Sequence, residues 1–201
     1  HSGGAQSLAA FILRRTGEEK APWSFMLTGL IIAIPVFFDV AFIILAPVIF
    51  AIAKKTGKSL LLYAIPLLAG LAITHSFIPP TPGPVAVADI LGANLGWVIV
   101  FGGIAGIPAA IISGPLFAKY ISKKIHLAVP ESFQPKRENG IYPDPIMILI
   151  IIILPILLIV LKTLLGNDTS LPEAFLFVIN LLGHPFTALI LANLIAWYFL
   201  G

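Results

Sequence analysis

Long apolar runs constrain this chain more than any other feature of its sequence. A helix needs about 20 apolar residues to cross the hydrocarbon core of a bilayer. Five runs approach or exceed that length: Phe25–Ala53, Leu60–Ile78, Trp97–Ala118, Ile146–Leu165 and Leu171–Leu200. Only 10% of the 201 residues are charged, against about 25% in a typical soluble domain. The sequence therefore predicts an all-α polytopic membrane protein, with the lipid bilayer as its surroundings.

The same composition excludes several classes of function. The chain has no cysteine, which excludes disulfide and thiolate chemistry. Its net charge of +3 forms no basic stripe with interleaved aromatic residues, so nucleic acid is not an expected partner. No metal-ligand spacing, phosphate loop or nucleophile with an oriented base occurs, and we expect no enzyme, no cofactor and no metal. The chain begins at His1 without a methionine and stops at Gly201 directly after an apolar run, so we expect a fragment of a longer protein.

Positive charges predict how the runs are oriented, because cytoplasmic loops are enriched in Lys and Arg. Basic residues flank the first run on both sides and follow the third run, whereas 79–96 contains none. The second and third runs are therefore predicted to cross outwards and back. Residues 119–144 are predicted to form a cytoplasmic connector that lies partly at the membrane interface. Beyond it we expect a spanning helix, then a short element before Gly183 and most of a helix after it.

The first run, Phe25–Ala53, is basic at both ends and is interrupted around Pro35 and Asp39. Proline lacks a backbone N–H and clashes with the preceding helical turn. A re-entrant helical hairpin, entering and leaving on the cytoplasmic side, satisfies charge, length and proline together, and it is our prediction for about 25–53. A tilted, proline-kinked crossing helix is the alternative.

The second run ends in four prolines between Pro79 and Pro84, and the apolar segment that follows is too short to cross by itself. This pattern predicts a discontinuous helix over about 60–92, with one half to about Thr74, an unwound centre over Thr74–Pro84, and a second half to about Gly92. Irregular backbone at membrane depth is tolerated where it lines a cavity, and many transporters build their sites there. An ordinary helix that ends in a proline-rich external loop is the alternative.

Ionisable side chains inside apolar runs are costly and are candidates for function. Asp39 lies well inside such a run, where a carboxyl removed from water could take up a coupled proton. It could equally cap the helix that follows. We interpret Asp89 as a residue at the membrane edge and His184 as a turn residue.

The candidate substrate site lies at the two interruptions. His75 offers an imidazole that could bind a substrate hydroxyl or relay a proton, or else make a structural hydrogen bond. Neither region contains Lys or Arg, so an anion would be held by helix N-termini and free backbone N–H groups. The predicted substrate-binding residues are Pro35, Phe38, Thr74, His75, Ser76, Thr81 and Gly83.

Two segments resemble the gluconate permease family, within the ion transporter superfamily. Ile34–Pro47 (IPVFFDVAFIILAP) resembles its hairpin motif, and Ala72–Ala86 (AITHSFIPPTPGPVA) resembles its His-Ser/Gly-x-x-Pro-Pro-x-Pro-Gly-Pro signature. Ser2–Gln6 resembles the segment that precedes them in the family. Members commonly have Glu where this chain has Asp39. The resemblance extends to about Ile112 and is weaker beyond Lys119.

The resemblance implies an importer of gluconate or a related sugar acid, driven by proton symport across the bacterial inner membrane. Some relatives take D-serine or other small hydroxylated acids. It also implies two inverted repeats, with most of the first in 1–118 and the start of the second in 145–201. Asp39 and His75 become the candidates for proton coupling. An anion-selective channel and an intramembrane enzyme are the alternative functions, and the oligomeric state, including a homo-oligomer, stays open.

Overall fold

In the computed structural model, the described residues are 4–130, 143–166 and 171–200, and all of their regular structure is helical. A 3₁₀ turn spans Glu18–Lys20, and a π-helical turn spans Ile112–Leu116. The predicted all-α class is confirmed. The helices are α1 (Gly4–Thr16), α2 (Ala21–Ile32), α3 (Phe38–Thr56), α4 (Leu61–Phe77), α5 (Pro82–Ile90), α6 (Leu95–Ile111), α7 (Phe117–Ile121), α8 (Pro145–Leu165), α9 (Glu173–Leu182) and α10 (Pro185–Leu200).

Three helical segments in the described part of the chain are long and apolar enough to cross a membrane: Leu61–Ile90, Leu95–Ile121 and Pro145–Leu165. They correspond to the second, third and fourth predicted runs. Helices α9 and α10 make a fourth span if they are taken together, although they are bent by 72° at their junction. The chain is a membrane protein.

Helices α2 and α4 run side by side in the same direction. Near their beginnings, the rings of Phe25 and Tyr63 meet edge to face with centroids 5.9 Å apart. Near their ends, the hydroxyl of Thr74 donates to the carbonyl oxygen of Leu30 at 2.8 Å. One contact joins the beginnings of the two helices and the other joins their ends, so the helices are parallel and α2 and α4 end side by side.

Two glycines allow this close approach. A methyl group on Gly29 would lie 2.6 Å from the carbonyl oxygen of Leu67, and one on Gly70 would overlap the carbonyl oxygen of Met26. Small residues let helix backbones touch in a membrane, where lipid tails leave little hydrophobic drive for association. The pair therefore fixes α2 against α4 by backbone contact.

The basic loops lie on one side of the bundle. Lys55, in the last turn of α3, forms an ion pair with Glu18, which precedes α2. Ser59 donates to the carbonyl oxygen of Ile125 at 3.1 Å and accepts from the N–H of Leu127 at 3.1 Å. The start of α2, the end of α3 and the segment after α7 therefore lie together, as the charge pattern predicts. The rest of the predicted connector, 131–142, falls outside the described residues.

The interruption in the second run is narrower than predicted. Helix α4 continues through Thr74 and His75 to Phe77, and α5 begins at Pro82, so an unwound centre over Thr74–Pro84 is wrong in extent. Pro82 occupies the first turn of α5, where a helix does not need the N–H that proline lacks. The helix break is confined to 78–81.

Candidate functional site

The two interruptions lie next to each other. The first, 33–37, separates α2 from α3, and the second separates α4 from α5. The ring of Phe37, directly before α3, meets the imidazole of His75 in the last turn of α4, with centroids 6.1 Å apart. The two segments singled out in the sequence thus come into direct contact through Phe37.

Thr74 connects α4 to α2 just before the two interruptions and is fully buried. Its hydroxyl donates to Leu30 in the last turn of α2, where helix carbonyls have no helical N–H partner. Because a hydroxyl has one hydrogen, that bond leaves only its lone pairs for any other partner. The position and the bond give Thr74 a structural part in joining α2 to α4.

Thr81 holds the second interruption in shape. Its hydroxyl lies 2.8 Å from the carbonyl oxygen of Ile78 and 3.1 Å from that of His75, and it can donate to either. The side chain is only 5% exposed, and the neighbouring Pro79 and Pro80 are buried. The break is therefore a packed turn that keeps the end of α4 and the start of α5 in a fixed relation.

An open groove of about 780 Å³ lies between the end of α4, helix α5 and helix α6. No charged side chain occurs among the described residues that line it. Its polar groups come from His75, Ser76 and Asn94, while aromatic and aliphatic side chains such as those of Val87, Trp97 and Phe101 form much of its wall. The groove has the apolar lining and few polar groups that are typical of small-molecule sites.

His75 has an unusual environment. Its imidazole lines the groove, yet Nδ1 is buried and has no hydrogen-bond partner among the described residues. A buried polar atom without a partner costs free energy, so such an atom in a native protein calls for an explanation. Nδ1 of His75 is thus an unused hydrogen-bonding atom within the described residues.

The chain matches the model of the GntP family permeases over residues 1–201. It belongs to the GntP permease family. It is 38% identical to the gluconate permease of Pseudomonas aeruginosa, over 100% of this chain and 45% of that protein. It is 36% identical to the low-affinity gluconate transporter of Escherichia coli, over 98% of this chain and 44% of that protein. It is 35% identical to the Gnt-II system L-idonate transporter of Escherichia coli, over 100% of this chain and 46% of that protein.

This GntP-family chain spans about half the length of the curated relatives it matches. No solved structure matches it. The predicted resemblance to gluconate permeases is confirmed by the family match, which covers the whole chain, including the part beyond Lys119 where the resemblance is weaker.

Asp39 lies in the first turn of α3 and is exposed, so the described residues do not provide the burial that we expected for it. Its position in the first turn favours a negative charge at the positive end of the helix dipole. Pro35 is also exposed, and neither it, Phe38 nor Asp39 lines the groove.

Of the remaining predicted residues, Ser76 and Gly83 line the groove with His75. A methyl group on Gly83 would meet nothing within 4 Å, so close approach of a ligand does not require glycine there in the described structure. Between Pro82 and Pro84, which lack N–H groups, Gly83 carries the one N–H of the first three residues of α5.

Asp89 and His184 do not line the groove. Asp89 is exposed near the end of α5, and His184 is exposed at the junction of α9 and α10, where it stacks on Phe186 with ring centroids 5.7 Å apart. His184 thus lies in a turn, as the sequence suggests, whereas the membrane-edge position of Asp89 stays a prediction. Within the described residues, no cluster of three or more His, Cys, Asp or Glu could hold a metal ion.

Sequence reasoning missed Asn94 and the aromatic wall of the groove. The Oδ1 atom of Asn94 accepts from the N–H of Gly96 at 3.0 Å and from the hydroxyl of Thr163 at 2.9 Å. Asn94 thereby caps α6 and ties its beginning to the end of α8. An Asn directly before an apolar run is a recognised helix-start signal and could have pointed to this position.

Proposed function

We propose that this chain is part of a symporter that imports gluconate or a related sugar acid together with a proton across the bacterial inner membrane. The observation that carries the proposal is the contact between the two interruptions, where Phe37 packs on His75 and Nδ1 of His75 is buried without a partner among the described residues. Relatives named as gluconate and L-idonate transporters suggest the substrate class.

The groove fits a polyhydroxy acid in size and chemistry. Its volume of about 780 Å³ lies within the ~300–1,000 Å³ range of small-molecule pockets. His75 and Ser76 offer hydrogen-bonding groups to substrate hydroxyls, and the NH₂ group of Asn94 is a further donor. The N–H of Gly83, in the first turn of α5, offers partial positive charge to the carboxylate. A site without Lys or Arg holds an anion weakly enough to release it after transport.

Asp39 is the proposed proton acceptor, with His75 as its partner in coupling. Asp39 is the second residue of α3, close to the interruption whose Phe37 touches His75. A segment of the transporter that covers this end of α3 would remove the carboxylate from water and favour its protonated form. Proton binding and substrate binding would then be linked through one pair of adjacent interruptions.

The re-entrant hairpin is the proposed membrane arrangement of α2 and α3. The ion pair between Glu18 and Lys55 joins the beginning of α2 to the end of α3, as expected of two arms that enter and leave on one side. Helix α2 has 12 residues, or about 18 Å at 1.5 Å per residue, which is short of a bilayer core of about 30 Å. We further propose that α8, α9 and α10 begin an inverted second repeat of a multi-pass transporter.

Transport by the natural protein that contains these residues tests the proposal. In proteoliposomes, we expect saturable uptake of labelled gluconate that becomes uphill when the outside is more acidic than the inside. Uptake that ignores the pH gradient would reject proton coupling. Downhill flux that does not saturate would instead favour an anion-selective channel.

Asp39→Asn tests the coupling residue. We expect this variant to lose uphill accumulation by about tenfold or more while it still exchanges internal for external gluconate, because exchange needs no net proton movement. Asp89→Asn is the matched control, since it removes a carboxylate that is exposed on α5 and does not line the groove. Equal loss of accumulation and exchange in Asp39→Asn would assign Asp39 to a structural role.

A further inference from the structure

The groove described above is elongated and has two ends. Helix α5 lines it from Gly83 to Leu91, and helix α6, with the residue before it, lines it from Asn94 to Gly102. Gly102 lies at the Gly83 end, because a methyl group on Gly102 would overlap the carbonyl oxygen of Phe77, where α4 ends. Helices α5 and α6 therefore run in opposite directions along the groove. Each of the two stretches rises by about 12 Å, at about 1.5 Å per residue.

Polar groups lie at both ends of the groove, and the wall between them is apolar. The end next to α4 carries His75 and Ser76, and the other end carries Asn94. Val87 and Val98 line the middle. An extended six-carbon hydroxy acid measures about 9 Å between its end oxygens, from bonds of about 1.5 Å. Such a molecule fits the groove lengthwise, with one end at α4 and the other at Asn94.

The side chain of Asn94 is held by a junction between α6 and α8. Its Oδ1 atom accepts from the N–H of Gly96 at 3.0 Å and from the hydroxyl of Thr163 at 2.9 Å. The same hydroxyl lies 3.1 Å from the carbonyl oxygen of Ile159, so its shorter contact is the one to Asn94. Gly96 makes room for Thr163, because a methyl group on Gly96 would overlap that hydroxyl. The N–H of Gly96 requires an acceptor, so Asn94 turns its oxygen to the junction and has its NH₂ group to offer to a ligand.

The two ends of the groove differ in what they offer to a carboxylate. At the beginning of α6, the N–H of Gly96 is already bonded to Asn94. At the beginning of α5, Gly83 carries an N–H between two prolines that have none. A helix N-terminus with an N–H to donate favours an anion. The carboxylate is therefore expected at the Gly83 end, which brings the opposite end of an extended substrate to Asn94.

We propose that Asn94 recognises the terminal hydroxyl of an extended sugar acid by donating from its NH₂ group. Thr163 is the positioning residue that holds the amide of Asn94 in this orientation. This inference rests on the proposed function and names the residue by which the groove selects substrates for chain length and terminal group. Because Thr163 belongs to α8, the proposed second repeat helps to shape a groove that the first repeat forms.

Competition between two sugar acids tests the role of Asn94, with the natural protein in proteoliposomes. The probe is 6-deoxygluconate, which differs from gluconate only in lacking the terminal hydroxyl. One hydrogen bond is lost, so we expect its inhibition constant to lie about fivefold to tenfold above the KM for gluconate. Asn94→Ser keeps a good helix cap but removes the NH₂ group. In this variant the KM for gluconate should rise by about the same factor, and the two acids should bind within about twofold of each other.

Variants at two other positions complete the test. Asn180→Ser is the matched control, because the NH₂ group of Asn180 donates to the carbonyl oxygen of Gly166 and Asn180 does not line the groove. Its KM for gluconate should stay within about twofold of the wild-type value. Thr163→Val removes the hydroxyl that orients Asn94 and should raise this KM about threefold without changing kcat. Thr163→Ser keeps the hydroxyl and should restore the wild-type KM.

Several results would overturn the proposal. An unchanged KM in Asn94→Ser, or a preference for the terminal hydroxyl that persists in this variant, would remove Asn94 from its proposed role. Equal weakening of both acids would mean that Asn94 only shapes the groove. Equal KM values in Thr163→Val and Thr163→Ser would overturn the positioning role. In each of these cases the wild-type protein transports gluconate, whereas a wild-type protein that transports none would reject the proposed function itself and this inference with it.

Discussion

The hydrogen bond from Thr74 to Leu30 gives the sharpest test of how α4 is joined to α2 next to the two interruptions. Thr74→Val removes the hydroxyl and keeps the shape of the side chain. The donor is fully buried and lies 2.8 Å from its acceptor. Hydrogen bonds between membrane helices contribute about 0.6 kcal/mol on average and about 1.7 at most, while an unpaired buried carbonyl costs about 1–3 kcal/mol. We expect a loss of about 1–2 kcal/mol in the free energy of unfolding.

Unfolding of the natural protein by SDS in mixed micelles, followed by tryptophan fluorescence, measures this loss. Ser113→Ala is the control, because it removes an exposed hydroxyl that bonds only within its own helical region, and we expect little change. The KM for the substrate distinguishes a structural role of Thr74 from a role in substrate binding. A raised KM at unchanged stability would refute the structural reasoning and return Thr74 to the substrate-binding residues.

Two further predictions concern packing and surface charge. Gly102→Ala should destabilise the protein by about 1–3 kcal/mol, because the added methyl group would overlap the carbonyl oxygen of Phe77. The methyl group of Gly103→Ala would meet nothing within 4 Å, so in SDS unfolding we expect this variant to be neutral or up to about 1 kcal/mol more stable. Glu18→Gln should change stability by no more than about 0.5 kcal/mol, because its ion pair with Lys55 is solvent-exposed. A loss above about 1.5 kcal/mol in the same assay would mean that this pair helps to hold the bundle together.

Much of the fold follows from local sequence. The apolar runs locate the spanning helices, since a continuous apolar segment of this length satisfies its own backbone in lipid as a helix. The prolines locate both interruptions, because each removes an N–H and restricts the preceding residue. The length of the second interruption was less predictable. Thr74 and His75 stay helical, and Pro82 starts a helix, because proline is disfavoured inside a helix and favoured in its first turn.

The candidate site was only partly predictable. His75, Ser76 and Gly83 line the groove as expected. Thr74 and Thr81 instead use their hydroxyls within the protein, which depends on which carbonyls other segments bring near. No local pattern distinguishes a hydroxyl that awaits a ligand from one that is already bonded.

The sequence by itself determined that this chain lies in a membrane, where its helices are interrupted, and to which family it belongs. Hydropathy and proline chemistry act on neighbouring residues, so they can be recognised without a fold. Only the tertiary structure decided that Phe37 meets His75, that α2 and α4 run in the same direction, and that Nδ1 of His75 is left without a partner among the described residues. These features depend on close backbone packing at Gly29 and Gly70, between residues far apart in the chain.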